Sequence, residues 1–160
     1  MLLYVFSDSH GATENMVSVL SRELPDMVIH LGDHVEDAEY ISRRFPMRML
    51  YVAGNSYDDS YSGEPLERIV TLEGHRIYFC HGHRHHVKTT RLNLVYAARE
   101  QEAEIALFGH THVPCDETAD GVRLINPGSI SKGWLGGNSY AAITLTHDNV
   151  TCEIRKIPKP

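Results

Sequence analysis

Short turns that combine histidine with glycine, aspartate or asparagine are the most informative feature of this 160-residue chain, which holds eleven histidines. Their side chains supply imidazole nitrogens and carboxylate oxygens without thiolates, a donor set that suits Zn, Mn, Fe, Co or Ni better than Ca. Seven candidate metal ligands stand in these turns: Asp8, His10, Asp33, Asn55, His81, His110 and His112. That number is too large for one tetrahedral zinc and fits two metals that share a bridging carboxylate.

Each of these turns has a simpler interpretation when it is taken alone. Asp8-Ser9-His10 fits an ordinary turn, Gly32-Asp33 a helix cap, and Gly54-Asn55 a left-handed turn. The paired histidines of His81-Gly82-His83 and Gly109-His110-Thr111-His112 have no obvious packing purpose. Because all five turns directly follow apolar runs, the set as a whole favours a metal site.

The apolar runs before these turns are predicted to be strands that position them. They are Leu2 to Phe6, Met27 to Leu31, Met49 to Ala53, Arg76 to Cys80 and Ile105 to Phe108. Most of them lack polar alternation, as expected of strands covered on both faces of a sheet. In α/β sheets the loops beyond the carboxyl ends of the strands converge on one crevice, so we expect the polar turns to form one cluster.

Helical periodicity separates the early strands, and hairpin turns separate the late ones. Apolar residues recur at three- and four-residue steps over Thr13 to Leu24, and shorter helices are predicted over Ala38 to Phe45 and Leu92 to Glu102. Hairpins are predicted around Glu73-Gly74, Asp120-Gly121 and Asp148-Asn149. The pattern predicts an α/β core with one mixed sheet or two packed sheets.

Composition predicts one globular domain over residues 1–160. The chain is 42% hydrophobic and 22% charged, which excludes disordered, collagen-like and disulfide-scaffold classes. The formal net charge of −6, without a cluster of Lys and Arg, argues against stable binding along a nucleic-acid backbone. A nucleotide substrate is still compatible with this charge.

The cysteines and the N-terminal run predict a cytoplasmic protein. Cys80, Cys115 and Cys152 form no CxxC pair, which fits a reducing compartment. The apolar run at Met1 to Phe6 lacks a basic leader and is too short for a signal peptide. No stretch approaches the roughly 20 apolar residues that span a bilayer, so membrane binding is not expected.

Taken in order, the five turns resemble the signature of the calcineurin-like metallophosphoesterases. The resemblance covers residues 2 to 145, and the later Asn126-Pro127-Gly128-Ser129 makes the chain most similar to the small single-domain phosphodiesterase branch of bacteria and archaea. It implies a four-layer α/β/β/α sandwich, in which two mixed β-sheets are flanked by helices.

The resemblance also implies a binuclear centre of divalent transition metals. By it, Asp8, His10 and His112 bind one ion, Asn55, His81 and His110 bind the other, and Asp33 bridges both. We expect manganese, with zinc, iron, nickel or cobalt as alternatives. Four metal charges against the carboxylates of Asp8 and Asp33 leave a locally positive centre that attracts phosphate. A hydroxide bridging the metals would attack phosphorus in line, which assigns catalysis to Asp33, Asn55 and His81.

The chain departs from the wider family directly after Asn55. Many phosphatases of the family have a histidine there that can protonate the leaving group, and the phosphodiesterase branch commonly has Cys-Asp, whereas this chain reads Ser56-Tyr57-Asp58. Without that acid, substrates with a good leaving group are favoured, and so is a phosphodiesterase. Asp58 and His83 are the candidates for substrate contact or proton transfer, and we expect His34 at the rim of the site.

Two alternative functions stay open beside a phosphodiesterase of small phosphodiesters. One is a phosphomonoesterase or phosphoprotein phosphatase. The other is a non-catalytic interaction scaffold, as in the small retromer subunit of eukaryotes, which has a similar fold and an incomplete ligand set. The seven filled positions argue against a scaffold. Tyr57, Tyr61 and Trp134 could contact a second copy in a homo-oligomer.

Overall fold

Ten strands and three helices make up the architecture of residues 1–134 and 136–157, which the computed structural model describes. The helices are α1 (Thr13–Leu20), α2 (Val35–Arg44) and α3 (Leu92–Glu100). The strands are β1 (Leu2–Phe6), β2 (Met27–His30), β3 (Arg48–Tyr51), β4 (Glu67–Leu72), β5 (His75–Cys80), β6 (Ile105–Leu107), β7 (Cys115–Ala119), β8 (Val122–Asn126), β9 (Ser139–Thr146) and β10 (Asn149–Lys156). Short 3-10 helices cover Asp59–Tyr61 and His83–His85.

The first sheet has the strand order β10-β9-β1-β2-β3. Strands β1, β2 and β3 are parallel, with Tyr4 opposite Val28 and Val28 opposite Met49, while β9 and β10 form an antiparallel hairpin beside β1. Helices α1 and α2 follow β1 and β2 and make the crossovers that parallel strands require. The turns after β1, β2 and β3 therefore emerge at one edge.

The second sheet has the order β4-β5-β6-β8-β7 and is also mixed. Strands β5, β6 and β8 are parallel, with Tyr78 opposite Ala106 and Ala106 opposite Leu124. Antiparallel hairpins join β4 to β5 and β7 to β8. The turns after β5 and β6 thus lie at the same edge as each other.

Alternation along the strands divides the core into three apolar layers. Leu3 and Val5 of β1 pack with Phe79 of β5 between the two sheets. Tyr4 and Phe6 point to the outer face, against α1 and α2. Tyr78 and its neighbours on the outer face of the second sheet pack against α3. Because side chains alternate between two buried faces, the strands are continuous apolar runs, and the predicted four-layer sandwich of two mixed sheets is confirmed.

Several boundaries differ from the predictions, each for a local physical reason. Strand β3 ends at Tyr51 and lies at a sheet edge, so its residues are half-buried or exposed instead of covered on both faces. Helix α1 stops at Leu20 and leaves Leu24 exposed, because Pro25 disfavours helical backbone in the residue before it. Helix α2 begins earlier than predicted, at Val35. None of the described helices has the length and apolar character of a membrane span.

Candidate metal centre

Glycines allow the strand ends of the two sheets to approach more closely than side chains would permit. A Cβ on Gly54 would lie 2.4 Å from the backbone nitrogen of Asp33, and one on Gly109 would lie 2.0 Å from Ser7 Oγ. Both distances are far below van der Waals contact. The Gly-Asn and Gly-His turns thus need glycine so that the turns after β3 and β6 can pack against those after β2 and β1.

One group of potential metal ligands combines the turns after β1 and β6. Asp8, His10 and His112 each offer a ligand atom, and these atoms lie within 4.8 Å of one another. Asp8 Oδ1 is 3.1 Å from His112 Nε2. All three residues have left-handed backbone, with φ of 55°, 44° and 58°. Such conformations cost free energy in non-glycine residues and cluster at functional sites.

A second group shares Asp8 and adds the turns after β2 and β5. Asp8, Asp33 and His81 again place ligand atoms within 4.8 Å, and His81 Nε2 lies 3.5 Å from Asp33 Oδ1. The other oxygen of Asp33, Oδ2, is 3.7 Å from Nε2 of His10 in the first group. Asp33 therefore directs one carboxylate oxygen to each group. His110 Nδ1 is 3.2 Å from His81 Nε2.

Hydrogen bonds from the surrounding backbone orient these ligands. The Nδ1 atom of His81 lies 2.8 Å from the carbonyl oxygen of Leu31, which leaves its Nε2 atom directed at the two carboxylates. Asp33 Oδ1 accepts hydrogen bonds from the backbone N–H groups of Asn55 and Ser56. Contacts of this kind fix the tautomer and orientation of metal ligands in proteins.

The Asn-Pro-Gly-Ser motif after β8 fastens two of the ligand turns. Ser129 Oγ donates a 2.8 Å hydrogen bond to the carbonyl oxygen of Asp8, which also accepts one from Ser131. Asn126 Nδ2 donates to the carbonyl oxygen of Gly109 and to Thr111 Oγ1. The motif thus positions ligands from β1 and β6 without contributing one.

Asp59 is the supporting residue that the sequence reasoning missed. Its buried carboxylate accepts backbone hydrogen bonds from Asp33, His34, Val35 and Gly54. Burial alone would raise its pKa, but the N–H donors of Val35 and Gly54 outweigh burial and hold the pKa below its ordinary value. These bonds also explain why α2 begins at Val35. The only sequence signal was a second aspartate after Asp58.

The structure brings most of the predicted site residues to this edge, and two of them are exposed. The His83 ring centroid lies 5.5 Å from that of His81, and the His34 ring centroid lies 5.4 Å from that of His10. Asn55 is exposed and contacts Asp33 through its backbone. Asp58 is exposed, and its side chain makes no hydrogen bond or ion pair within the described residues. The turn directs the neighbouring Asp59 inward, and the role of Asp58 in substrate contact or proton transfer stays a prediction.

The donor atoms of the centre fit divalent transition metals. Within the described part of the chain, Asp8 Oδ1, His10 Nε2 and His83 Nδ1 are buried and have no hydrogen-bond partner. Buried polar atoms without partners cost free energy, and a cation held between them would remove that cost. The mixture of imidazole nitrogen and carboxylate oxygen, without sulfur, matches the metals expected from the sequence.

Burial keeps several of the imidazoles neutral and therefore ready to bind metal. It lowers the pKa of His110 to about 4, with a further contribution from His81, and it lowers the pKa of His10 against the opposing effect of Asp33. Burial would raise the pKa of Asp8, but contacts with His112, His81 and Ser7 lower it to about 2. Metal binding here needs little proton release from these groups.

Comparison with known proteins identifies one family. The family model described as the calcineurin-like phosphoesterase superfamily domain matches residues 1–148. The probable metallophosphoesterase YsnB of Bacillus subtilis is 33% identical over 154 residues, which cover 94% of this chain and 88% of that protein.

Solved structures of the same fold come from several kinds of protein. A predicted phosphoesterase from Streptococcus pneumoniae is 29% identical, with a TM-score of 0.74 and coverage of 96% of this chain and 97% of that one. An archaeal phosphodiesterase has a TM-score of 0.74 at 19% identity, covering 97% and 100% of the two chains. Vps29 of Entamoeba histolytica, solved as a single mutant, has a TM-score of 0.78 at 20% identity, covering 97% and 98%. The last two show likeness of fold alone.

Proposed function

Because the chain belongs to the calcineurin-like phosphoesterase superfamily, we propose that it is a binuclear metal-dependent phosphodiesterase acting on small phosphodiesters. The observation that carries the proposal is the pair of candidate ligand groups that share Asp8, one with His10 and His112 and the other with Asp33 and His81. A centre with two ligand groups and buried donor atoms without partners has the composition that two-metal phosphoryl transfer requires.

The proposed ligand sets are those that the family resemblance implies, and the two groups at the strand ends support them through Asp8, His10 and His112 and through Asp33 and His81. Asp8, His10 and His112 would hold one ion, Asn55, His81 and His110 would hold the other, and Asp33 would be shared by both. We expect manganese, with zinc, iron, nickel or cobalt as alternatives. When bound, two such ions supply a hydroxide near neutral pH and stabilise charge on the phosphoryl oxygens. The ligand side chains would hold and orient the ions. Hydrogen bonds with Leu31, Ser129 and Asp59 keep the ligand turns in place.

Asp58 and His83 are the side chains proposed for substrate contact or proton transfer. His83 lines the cleft that also contains Asn55 and Ser56, and burial followed by the effect of His81 lowers its pKa. A neutral His83 can accept a hydrogen bond from substrate, but no histidine follows Asn55 to protonate a poor leaving group. This absence supports diesters with good leaving groups over alkyl monoesters.

The setting of the protein belongs to the same proposal. We propose a single domain over residues 1–160 in the cytoplasm, where the free thiols of Cys80, Cys115 and Cys152 would stay reduced. Its partner would be a small phosphodiester, without stable binding to nucleic acid or membrane. Tyr57 and Tyr61 are exposed and packed edge to face, and this aromatic pair is the surface proposed to contact a second copy if the protein forms a homo-oligomer.

A reconstitution assay tests the proposed activity. Metal-free protein is loaded with Mn, Zn, Ni or Co and assayed against bis(4-nitrophenyl) phosphate and 4-nitrophenyl phosphate. We expect kcat/KM for the diester to exceed that for the monoester, and D33A to lose both ions and the activity. R99A, which removes an exposed charge at the end of α3, is the matched control and should behave as wild type.

Two outcomes of the assay favour the alternatives. Monoester turnover above diester turnover would support a phosphomonoesterase or phosphoprotein phosphatase. Inactivity with every metal would support a non-catalytic interaction scaffold, the second candidate, which the fold similarity to Vps29 favours. The complete set of ligand positions favours the enzyme.

A further inference from the structure

A cleft of about 790 Å³ opens directly beside the candidate metal centre, with His110 and His112 in its wall. Cleft volumes of this order accommodate small organic ligands. The rest of its lining combines cations with apolar side chains: Val87, Lys88, Arg91, Thr111, Val113, Lys132 and Trp134. The cleft is therefore suited to a molecule that carries both negative charge and an apolar surface.

Two of the three cations in the lining are available to a ligand. No carboxylate of the described residues lies within 4.0 Å of the ammonium group of Lys88 or Lys132. Arg91 is already engaged, because it donates to the carbonyl oxygen of Val87 and lies 3.6 Å from Glu117. The two lysines share the lining of this cleft with His110 and His112 of the candidate metal centre.

A second cleft on the other side of the centre has the opposite character. Its volume is about 520 Å³, and its lining includes Asp59 and Glu64 but no lysine or arginine among the described residues. Both carboxylates are engaged, because Asp59 accepts backbone hydrogen bonds and Glu64 lies 2.8 Å from Arg68 Nη2, so this lining differs from the first in having no lysine to offer an anionic group. The difference between the two clefts predicts how a substrate is oriented at the centre. The part of the substrate with an additional negative charge should lie in the cleft that contains the lysines.

The apolar part of the lysine-side cleft contains an aromatic platform. The side chain of Trp134 is 68% exposed, and Val113 is 48% exposed. A large exposed indole has a hydrophobic cost that an occupant of the cleft would remove. Nucleobases of every type stack on exposed aromatic side chains, because each base has a π-face. Planar heterocycles are thus the class of group that gains most from this surface.

We propose that this cleft binds the leaving-group half of a nucleotide phosphodiester, with the nucleobase on Trp134 and a second phosphate between Lys88 and Lys132. The inference rests on the proposed phosphodiesterase activity and names its substrate class. In the reaction, the oxygen of water bonds to phosphorus, the bond from phosphorus to the nucleotide hydroxyl oxygen breaks, and one proton from water ends on that oxygen. The released product is a nucleoside monophosphate.

Binding can be tested without turnover, because Trp134 is the only tryptophan in the chain. The probe is the phosphonate analogue of adenosine 5′-monophosphate, whose P–C bond cannot be hydrolysed, added to metal-loaded protein. We expect saturable quenching of tryptophan fluorescence, a Kd at least about tenfold higher in the K88A/K132A double variant, and no quenching by methylphosphonate alone. R99A is the matched single-charge control and should keep the wild-type Kd.

Turnover separates failure of this inference from failure of the proposed function. The ratio of kcat/KM for 5′-phosphorylated diadenosine to kcat/KM for bis(4-nitrophenyl) phosphate should fall at least about tenfold in K88A/K132A. Absence of any hydrolysis would refute the phosphodiesterase proposal while leaving the fluorescence result to stand by itself. Aryl diester turnover with no quenching by the probe, or with an unchanged Kd and ratio in K88A/K132A, would overturn the assignment of this cleft.

Discussion

Strand β5 has a histidine at each end, and the two are held in opposite ways. His75 begins the strand, and its ring nitrogens lie 2.5 Å from Glu104 Oε1 and 2.7 Å from the carbonyl oxygen of Thr146. His81 follows the last residue, is fully buried, and has one carbonyl acceptor while Nε2 faces the carboxylates of the candidate centre. His75 has a hydrogen-bond acceptor at each ring nitrogen and is suited to hold a proton, whereas Nε2 of His81 faces the oxygen and nitrogen atoms of other candidate metal ligands and is suited to bind metal.

The largest expected effect comes from the same substitution at these two ends. H81A removes a proposed ligand, and loss of an outer contact to such a ligand already costs about 10–100-fold in metal affinity or activity. We therefore expect H81A to lower kcat/KM at least about 100-fold and to reduce the bound metal measured by elemental analysis. H75A should retain both metal content and activity.

Equal losses in the two variants would remove the distinction between the ends. Circular dichroism and thermal melting of H81A exclude simple unfolding as the cause of lost activity. If folded H81A kept two ions and full turnover, the ligand assignment of His81 would be wrong.

Deleting one carboxylate near each end of β5 extends the comparison to the free energy of unfolding. D59A leaves four backbone N–H groups near the centre without their acceptor, so the free energy of unfolding should fall by about 3 kcal/mol. E104A removes a carboxylate whose side chain is 54% exposed, so its effect should stay below about 1 kcal/mol. Urea denaturation at neutral pH measures both.

The stabilisation by Asp59 also has a defined pH dependence. Its pKa is lower in the folded protein, so the contribution is present above the ordinary carboxyl pKa of about 3.9 and is lost as the pH falls through the folded pKa. A difference between wild type and D59A that persisted unchanged into strong acid would contradict this role.

Local patterns predicted the strand ends that meet at the candidate centre better than the contacts that support it. Each polar turn directly follows an apolar strand, so a strand end and its candidate ligand could be inferred together, as for His81 after β5. Asp59 and Ser129 act across 26 and 121 residues of sequence, on Asp33 and Asp8. Such contacts depend on the path that the loops take over the sheets, and no periodic pattern of residues in the sequence encodes that path. Likewise, Asp58 and Asp59 differ only in which one the turn directs inward.

The next effect concerns a backbone carbonyl group at the ligand end, compared with one in a helix. S129A removes one of two hydroxyl donors to the carbonyl oxygen of Asp8, a residue shared by both ligand groups. We expect about tenfold weaker metal binding, because contacts that orient ligands have effects of this size. Titration of metal-free protein with Mn²⁺ provides the measurement. S42A, which removes the hydroxyl donor of an exposed residue of helix α2 to the carbonyl oxygen of Glu39, is the matched control and should leave affinity unchanged.

The smallest expected effect tests whether His75 holds a proton. The carbonyl oxygen of Thr146 and then Glu104 raise its pKa above the ordinary value, with Glu73 adding to the same direction. Its stabilising contribution is therefore full below the unfolded pKa of about 6.5 and is lost as the pH rises through the higher folded pKa. His75 is on the second sheet and Thr146 on the first, so the protonated ring links the two sheets at the end away from the ligands.

Urea unfolding of wild type and H75Q at about pH 5.5 and about pH 9 measures this link. The difference in unfolding free energy should be below about 1 kcal/mol at the lower pH and smaller at the higher pH, because Glu104 is more than half exposed and solvent screens the pair. H147Q, at an 89% exposed histidine in the adjacent turn, should show neither effect. A difference that grew with pH would mean that His75 is held neutral, and the contrast between the two ends of β5 would then rest on His81 alone.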